Sequence, residues 1–134
     1  MARIVDVEGV GPHYAAKLNA IGVATTERLL KVAAHAQGRK DLAEQAAIPE
    51  KLILEWVNLA DLMRIKGLGP EYADLLEEAG VDTVRELRTR RPEALHLAAR
   101  ETNLRKRLVR RLPSLREVEG WVAEAKRLKP LLTY

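Results

Sequence analysis

Apolar positions along this 134-residue chain fall at helical spacing, and glycine and proline punctuate them at regular intervals. The pattern predicts helices over about 12–20 and 70–78. Each is opened by a proline at the first helical position (Pro12, Pro70) and followed by a glycine suited to a left-handed cap (Gly22, Gly80). The next helices begin near Thr25 and Thr83. Thr83 and Glu86 make a capping box, whereas Arg28 stands at the matching place of the first. Residues 40–47 read as helix, and Pro49 starts a long helix to about Met63. Residues 93–111 read as one helix up to Pro113, and Ser114 with Glu117 caps a last one to about Lys129. No run of alternating β-branched residues appears, so the expected fold is all-α with about eight to ten short helices.

The chain also repeats itself. At an offset of 58, Gly9, Gly11, Pro12, Tyr14, Ala15, Leu18, Gly22, Val23, Thr25 and Leu29 fall on Gly67, Gly69, Pro70, Tyr72, Ala73, Leu76, Gly80, Val81, Thr83 and Leu87. Trp56-Val57 and Trp121-Val122 recur at an offset of 65, so the second half carries about seven extra residues, expected around its basic helix. We expect two halves, 1–64 and 65–134, in one compact unit with pseudo-twofold symmetry. Tyr14 and Tyr72 are expected to pack between the halves, and Trp56 and Trp121 in the core.

Composition narrows the classes. The hydrophobic fraction of 47% supports a core, and that core is aliphatic, with no Phe, two Trp and three Tyr. The absence of cysteine excludes disulfides, thiolate metal sites and cysteine nucleophiles. The first residues, MARIVDVEG, hold no signal-peptide run, and no stretch is long and apolar enough to span a membrane; a cytoplasmic location is expected.

The net charge of +4 is unevenly spread. Residues 1–64 hold 8 basic and 8 acidic side chains, and 65–134 hold 15 and 11; within 85–116 the count is 11 against 3, or +8. Arg100, Arg105, Lys106, Arg107, Arg110, Arg111 and Arg116 crowd one segment. On a continuous helix Lys106 and Arg110, and Arg107 and Arg111, lie one turn apart, with Leu104, Leu108 and Leu112 on another face. Such a helix presents a cationic surface, and arginine suits phosphate through its planar fork of donors.

The repeated glycine turns carry the other candidate chemistry. Gly9, Val10, Gly11 and His13, and Gly67, Leu68 and Gly69, form tight turns that let a ligand approach the backbone. The first amides of the following helix then point outward with the helix dipole behind them, which makes an anion site. Acidic Glu71 takes the place of His13 in the second turn and opposes a phosphate there, so the first is the better equipped. The string Gly-hydrophobic-Gly-Pro-x-x-Ala, with its apolar helix, resembles the helix-hairpin-helix motif. That resemblance implies non-specific contact with the phosphodiester backbone, often by paired hairpins straddling the minor groove; some members hold a monovalent cation through hairpin carbonyls. Over nearly the full length, the first hairpin, AIPEKLILEWVNLADLMRIKGLG, RLVRRLPSLREVEGWV and the ending LLTY resemble a bacterial domain-of-unknown-function family with two helix-hairpin-helix repeats. The likeness implies the fold and supplies no activity.

Residues 41–53 look like a helix-turn-helix, but the second helix offers Glu50, Lys51 and Glu55, poor equipment for a polyanion, and core packing explains it better. Catalysis finds no constellation. His13, His35 and His96 are scattered, Glu77 and Glu78 diverge on their helix, and no phosphate-binding or nucleophile motif appears. The expected function is non-catalytic, sequence-nonspecific binding of double-stranded DNA. Its contacts are Gly9, Val10, Gly11, His13, Gly67, Leu68, Gly69, Arg105, Lys106, Arg107, Arg110 and Arg111, with no metal or cofactor required. The alternative is a protein-interaction module that takes an acidic partner. DNA against RNA, and the oligomeric state, stay open.

Overall fold

A computed structural model describes residues 2–134. Among them the chain forms a single 3-10 turn at Ile4–Asp6 and eight α-helices: α1 (Gly11–Ala20), α2 (Thr26–Ala33), α3 (Ala36–Ala46), α4 (Glu50–Leu62), α5 (Pro70–Glu78), α6 (Val84–Leu87), α7 (Pro92–Lys106) and α8 (Leu115–Arg127). The fold is all-helical, as the hydrophobic pattern predicts. The described residues hold one isolated β-bridge, between Arg3 and Thr25, and no strand.

Local chemistry sets most helix ends. Thr25 Oγ1 accepts from the Arg28 N–H at 3.1 Å, and Thr83 Oγ1 from the Glu86 N–H at 3.2 Å. The box at Ser114 is complete: Ser114 Oγ accepts from the Glu117 N–H at 3.1 Å, and Glu117 from the Ser114 N–H at 2.9 Å. At Thr83 the threonine half forms, while the Glu86 carboxylate takes the Arg90 side chain. α1 and α5 close identically. Gly22 donates to Asn19 O and Val23 to Leu18 O, at 3.0 and 2.9 Å; Gly80 donates to Glu77 O and Val81 to Leu76 O, at 3.0 and 2.8 Å. This is the Schellman arrangement, with each valine buried behind its glycine. Ala47 closes α3 in the same way without a glycine, at φ +54, where a Cβ costs about 1–2 kcal/mol.

α7 is the largest departure from expectation. It stops at Lys106 instead of running to 111, because Arg107 turns left-handed at φ +52. Asn103 makes the stop: its backbone carbonyl accepts from the Arg107 N–H at 2.8 Å, while its carboxamide accepts from the Val109 N–H at 3.0 Å and donates to Val109 O at 3.2 Å. The chain then turns Val109 into the core against Leu75 and Ala99, with Tyr72, Leu108 and Leu112 packed around them. Leu104, Leu108 and Leu112 therefore share no apolar face, and Leu104 is 72% exposed. The pairs Lys106–Arg110 and Arg107–Arg111 do not stand one turn apart on a helix.

The chain divides into two compact units, Met1–Asp61 with Leu131–Tyr134, and Leu62–Pro130. In the first, Leu18, Leu29, Ile53, Trp56 and Val57 are buried, and α2 packs on α3. Its tail is held by a buried arginine that nothing in the sequence announces. Arg39 donates to Ala33 O at 3.1 Å and Ala34 O at 2.9 Å, which closes α2, and to Thr133 O at 2.7 Å. The Thr133 N–H returns to Ala34 O at 2.9 Å, and the Arg39 guanidinium lies 5.4 Å from the Tyr134 ring centroid. In the second unit α7 packs on α8 and α5, and α6 on α8, around Leu75, Leu76, Leu87, Val118 and Trp121.

The α2–α3 corner is tight enough to reverse a helix-propensity rule. A Cβ on Gly38 would sit 2.1 Å from the backbone oxygen of Val32, which has no cheap way to move. Gly38→Ala, worth a gain of about 1 kcal/mol in an unobstructed helix, should instead lower the unfolding free energy by about 2–3 kcal/mol. Ala47→Gly should raise it by about 0.5–1 kcal/mol, by relieving the left-handed alanine. Urea denaturation of the two variants measures both signs.

Candidate nucleic-acid interface

The first glycine turn is built over a tryptophan. Gly9 and Gly11 take φ of +88 and +62. A Cβ on Gly9 would lie 3.4 Å from Trp56 Nε1, and the Tyr14 ring lies 5.2 Å from the Trp56 ring. Val10 is buried and anchors the turn by its side chain. α1 starts at Gly11 with no side-chain cap. Helix geometry therefore leaves the N–H groups of Gly11, His13 and Tyr14 without intrahelical acceptors, and Pro12 has none to offer. The space above Gly11 is open and His13 is exposed.

The second turn shares that plan with a different backbone. Gly67 takes φ +81, its Cβ position is 3.9 Å from Trp121 Nε1, and Tyr72 lies 5.3 Å from the Trp121 ring. Leu68 is buried like Val10. Gly69, however, has φ −84 and ψ −173, an extended conformation open to any residue, and it precedes α5 without capping it by a side chain. Each tyrosine thus packs on the tryptophan of its own unit.

The five cations predicted as one helical face separate into two groups. Arg105, Arg107 and Arg110 are exposed and meet no carboxylate among the described residues. Lys106 pairs with Glu78 of α5 at 2.5 Å, and Arg111 makes a two-pronged bond to Glu117, both contacts at 2.8 Å. Arg111 also lies 5.8 Å from the Tyr72 ring centroid, and Tyr72 Oη donates to its backbone oxygen at 3.0 Å. Within this unit, then, loop 107–113 is tied to the first turn of α5, beside the second glycine turn. The Arg111 hydrogen bond, with help from the Ser114 N–H, holds the Glu117 carboxyl down to about 2, and Glu117 in turn raises Arg111 above the usual arginine range.

The remaining candidates are engaged locally. His35 Nδ1 is 2.7 Å from Thr133 Oγ1, and His96 Nε2 is 2.9 Å from Pro113 O. Glu77 and Glu78 do not diverge as expected: with Asp74 they bring carboxylate oxygens within 4.8 Å of one another, yet Glu78 already takes Lys106, and the other two also have partners. α3 and α4 do form a helix-turn-helix about Ala47. Its second helix exposes Glu50, Lys51 and Glu55 and buries Ile53, Trp56 and Val57, consistent with core packing. Sequence reasoning missed Arg39 and Asn103; Asn103 acts from inside α7 through the backbone of Val109, not from the position just past a helix end where an asparagine signals a stop, and Arg39 had no signal either.

These elements define an all-helical protein in which two glycine turns, each seated over a tryptophan, open uncapped helices. The chain belongs to the family described as Domain of unknown function (DUF4332), whose model matches residues 8–128. No curated protein and no solved structure matches it.

The Arg111–Glu117 pair gives an acid-limb test. Glu117 sits below its ordinary value of 4.5, so its contribution is complete above that pH and is lost as pH falls toward about 2. The pair is partly exposed, with side-chain exposures of 64% and 33%, which keeps the effect small. Thermal midpoints recorded from about pH 5 to about pH 2.5 should fall less steeply in Glu117→Gln than in the parent chain, because the amide retains the cap and removes the titrating charge.

Proposed function

We propose that this protein grips the backbone of double-stranded nucleic acid, DNA foremost, without catalysis and with little sequence preference. One repeated observation carries the reading: two glycine turns, each leading into a proline-started helix whose first amides meet no side-chain cap. We read both as hairpins of the helix-hairpin-helix kind. Their amides and helix dipoles suit phosphate oxygens, and a proline at the helix start removes one donor without harm. Buried Val10 and Leu68 would act through the backbone alone, with His13 exposed beside the first turn. Arg105, Arg107 and Arg110 would supply the electrostatic contact. Lys106 and Arg111 count for less, because Glu78 and Glu117 already neutralise them.

Three available cations imply a log affinity that falls with log salt at a slope of about −3. Fluorescence anisotropy with a random duplex, titrated at several salt concentrations, measures it. Arg107→Glu combined with Arg110→Glu should weaken binding at least about tenfold and flatten the slope. Gly11→Asp should weaken binding with the slope retained. Aspartate tolerates the left-handed backbone, and the open space above residue 11 leaves the fold intact, which circular dichroism verifies. The two tryptophans report the hairpins separately: Trp121→Phe leaves emission from beneath the first turn only, Trp56→Phe from beneath the second, and duplex should perturb both. Duplex affinity that survives both the arginine pair and Gly11→Asp removes the reading.

A further inference from the structure

We infer that the outward face of α7 is a docking site for an acidic amphipathic helix of another protein. The inference does not rest on the nucleic-acid reading, although the two share Arg105 and Arg107. α7 buries Leu95, Ala99 and Thr102, and at 100° per residue Leu97 and Leu104 lie on the opposite side of the helix. They are 53% and 72% exposed, the two most exposed leucines described. Seven residues apart, they stand in line about 10 Å from one another along the axis. Single exposed leucines are ordinary; two in register on one helix, with exposed Ala94 beside them, form a stripe of the kind a second helix covers.

Charge selects the occupant. Arg100 and Arg105 flank the stripe and Arg107 follows its end, none of them paired with a carboxylate among the described residues. The surrounding segment 85–116 carries 11 basic against 3 acidic side chains. A second copy would bring two such cationic segments together, and a nucleic-acid backbone gives leucines nothing to bury in. An acidic helix with apolar residues at i and i+7 answers both features. Glu93 and Glu101 lie among the leucines and fix where that helix must avoid a carboxylate, which gives the pairing an orientation. A stripe this short belongs with small, transient interfaces.

The test uses the full chain and a labelled synthetic peptide of about three heptads, with leucine at the a and d positions and glutamate predominating elsewhere. A control peptide has the same composition with its leucines spread around the helix. Anisotropy at low salt should show the striped peptide binding at tens of micromolar and the control at least about tenfold weaker. Leu97→Ser with Leu104→Ser should weaken the striped peptide at least about tenfold and leave the duplex titration unchanged. Equal binding of the two peptides, or full affinity in the double variant, overturns the proposal. So does a concentration-dependent dimer abolished by the double variant, which assigns the stripe to a second copy. So does sedimentation with phosphatidylserine vesicles that the double variant abolishes, which assigns it to lipid. The parallel duplex titration separates any of these from a failure of the nucleic-acid reading.

Discussion

A left-handed glycine in contact with a tryptophan recurs in both units, at Gly9 over Trp56 and at Gly67 over Trp121. At 3.4 Å from the place a Gly9 Cβ would take, Trp56 stands at ordinary contact distance, and it is the left-handed φ of +88 that excludes most side chains. The tyrosine of the first helical turn closes over the same indole, so the turn, the helix start and the tryptophan are fixed together. The consequence for chemistry is direct. The helix whose first turn packs against the indole starts with no side-chain cap, so its first amides have no side-chain partner. The second unit repeats the arrangement with a looser 3.9 Å approach and an ordinary extended Gly69, so its turn depends less on glycine at the second position than the first does.

Loop 107–113 shows a second competition, between helical continuity and burial. Ending α7 at Lys106 puts Arg107 in a left-handed conformation, at about 1–2 kcal/mol. Against that stand the burial of Val109, about 1.5–2 kcal/mol, and two Asn103 side-chain hydrogen bonds at about 1 kcal/mol each. The balance favours the break. The break in turn decides the electrostatics, because it places Arg111 within reach of Glu117 and Tyr72 and leaves Arg107 and Arg110 in solvent. It also accounts for the unequal offsets of the repeat. α4 and α8 are both thirteen residues long and start 65 apart, while the glycine turns are 58 apart. Much of the added length is the connection from Arg107 to Ser114, where α3 and α4 are joined by Ala47–Pro49 alone.

What was legible in the sequence was local. Thr25, Thr83 and Ser114 cap their helices through an amide three residues on, and Gly22 and Gly80 close theirs within one turn, so spacing alone reveals them. The extent of α3 was not legible. It starts at Ala36 without a capping side chain, and its place is fixed by Arg39 reaching the carbonyl of Thr133, 94 positions away. Backbone acceptors leave no compositional trace, which is why a buried arginine in the charge-balanced half passed unnoticed. At the candidate interface the glycine turns could be read and the state of the cations could not. Lys106 finds Glu78 across 28 positions, a pairing decided by how α5 and α7 pack.

The two glycine turns are unequal, and on the proposed reading they divide the work. The first lies in a half with 8 basic and 8 acidic side chains and offers amides beside His13 with almost no net charge behind them. Hydrogen bonds from neutral amides orient a phosphate while displacing few counterions, so this contact changes little with salt. The second turn carries Glu71 in its first helical turn, which taken alone opposes an anion. Arg111 stands over the adjacent Tyr72, and the loop that holds it also presents Arg107 and Arg110. There attraction is long-ranged and screened, and the amides add direction once contact is made. A duplex held in this way is drawn in by the second unit and positioned by either. Its affinity then has a salt-sensitive part owed to three arginines and a salt-insensitive part owed to uncapped helix starts.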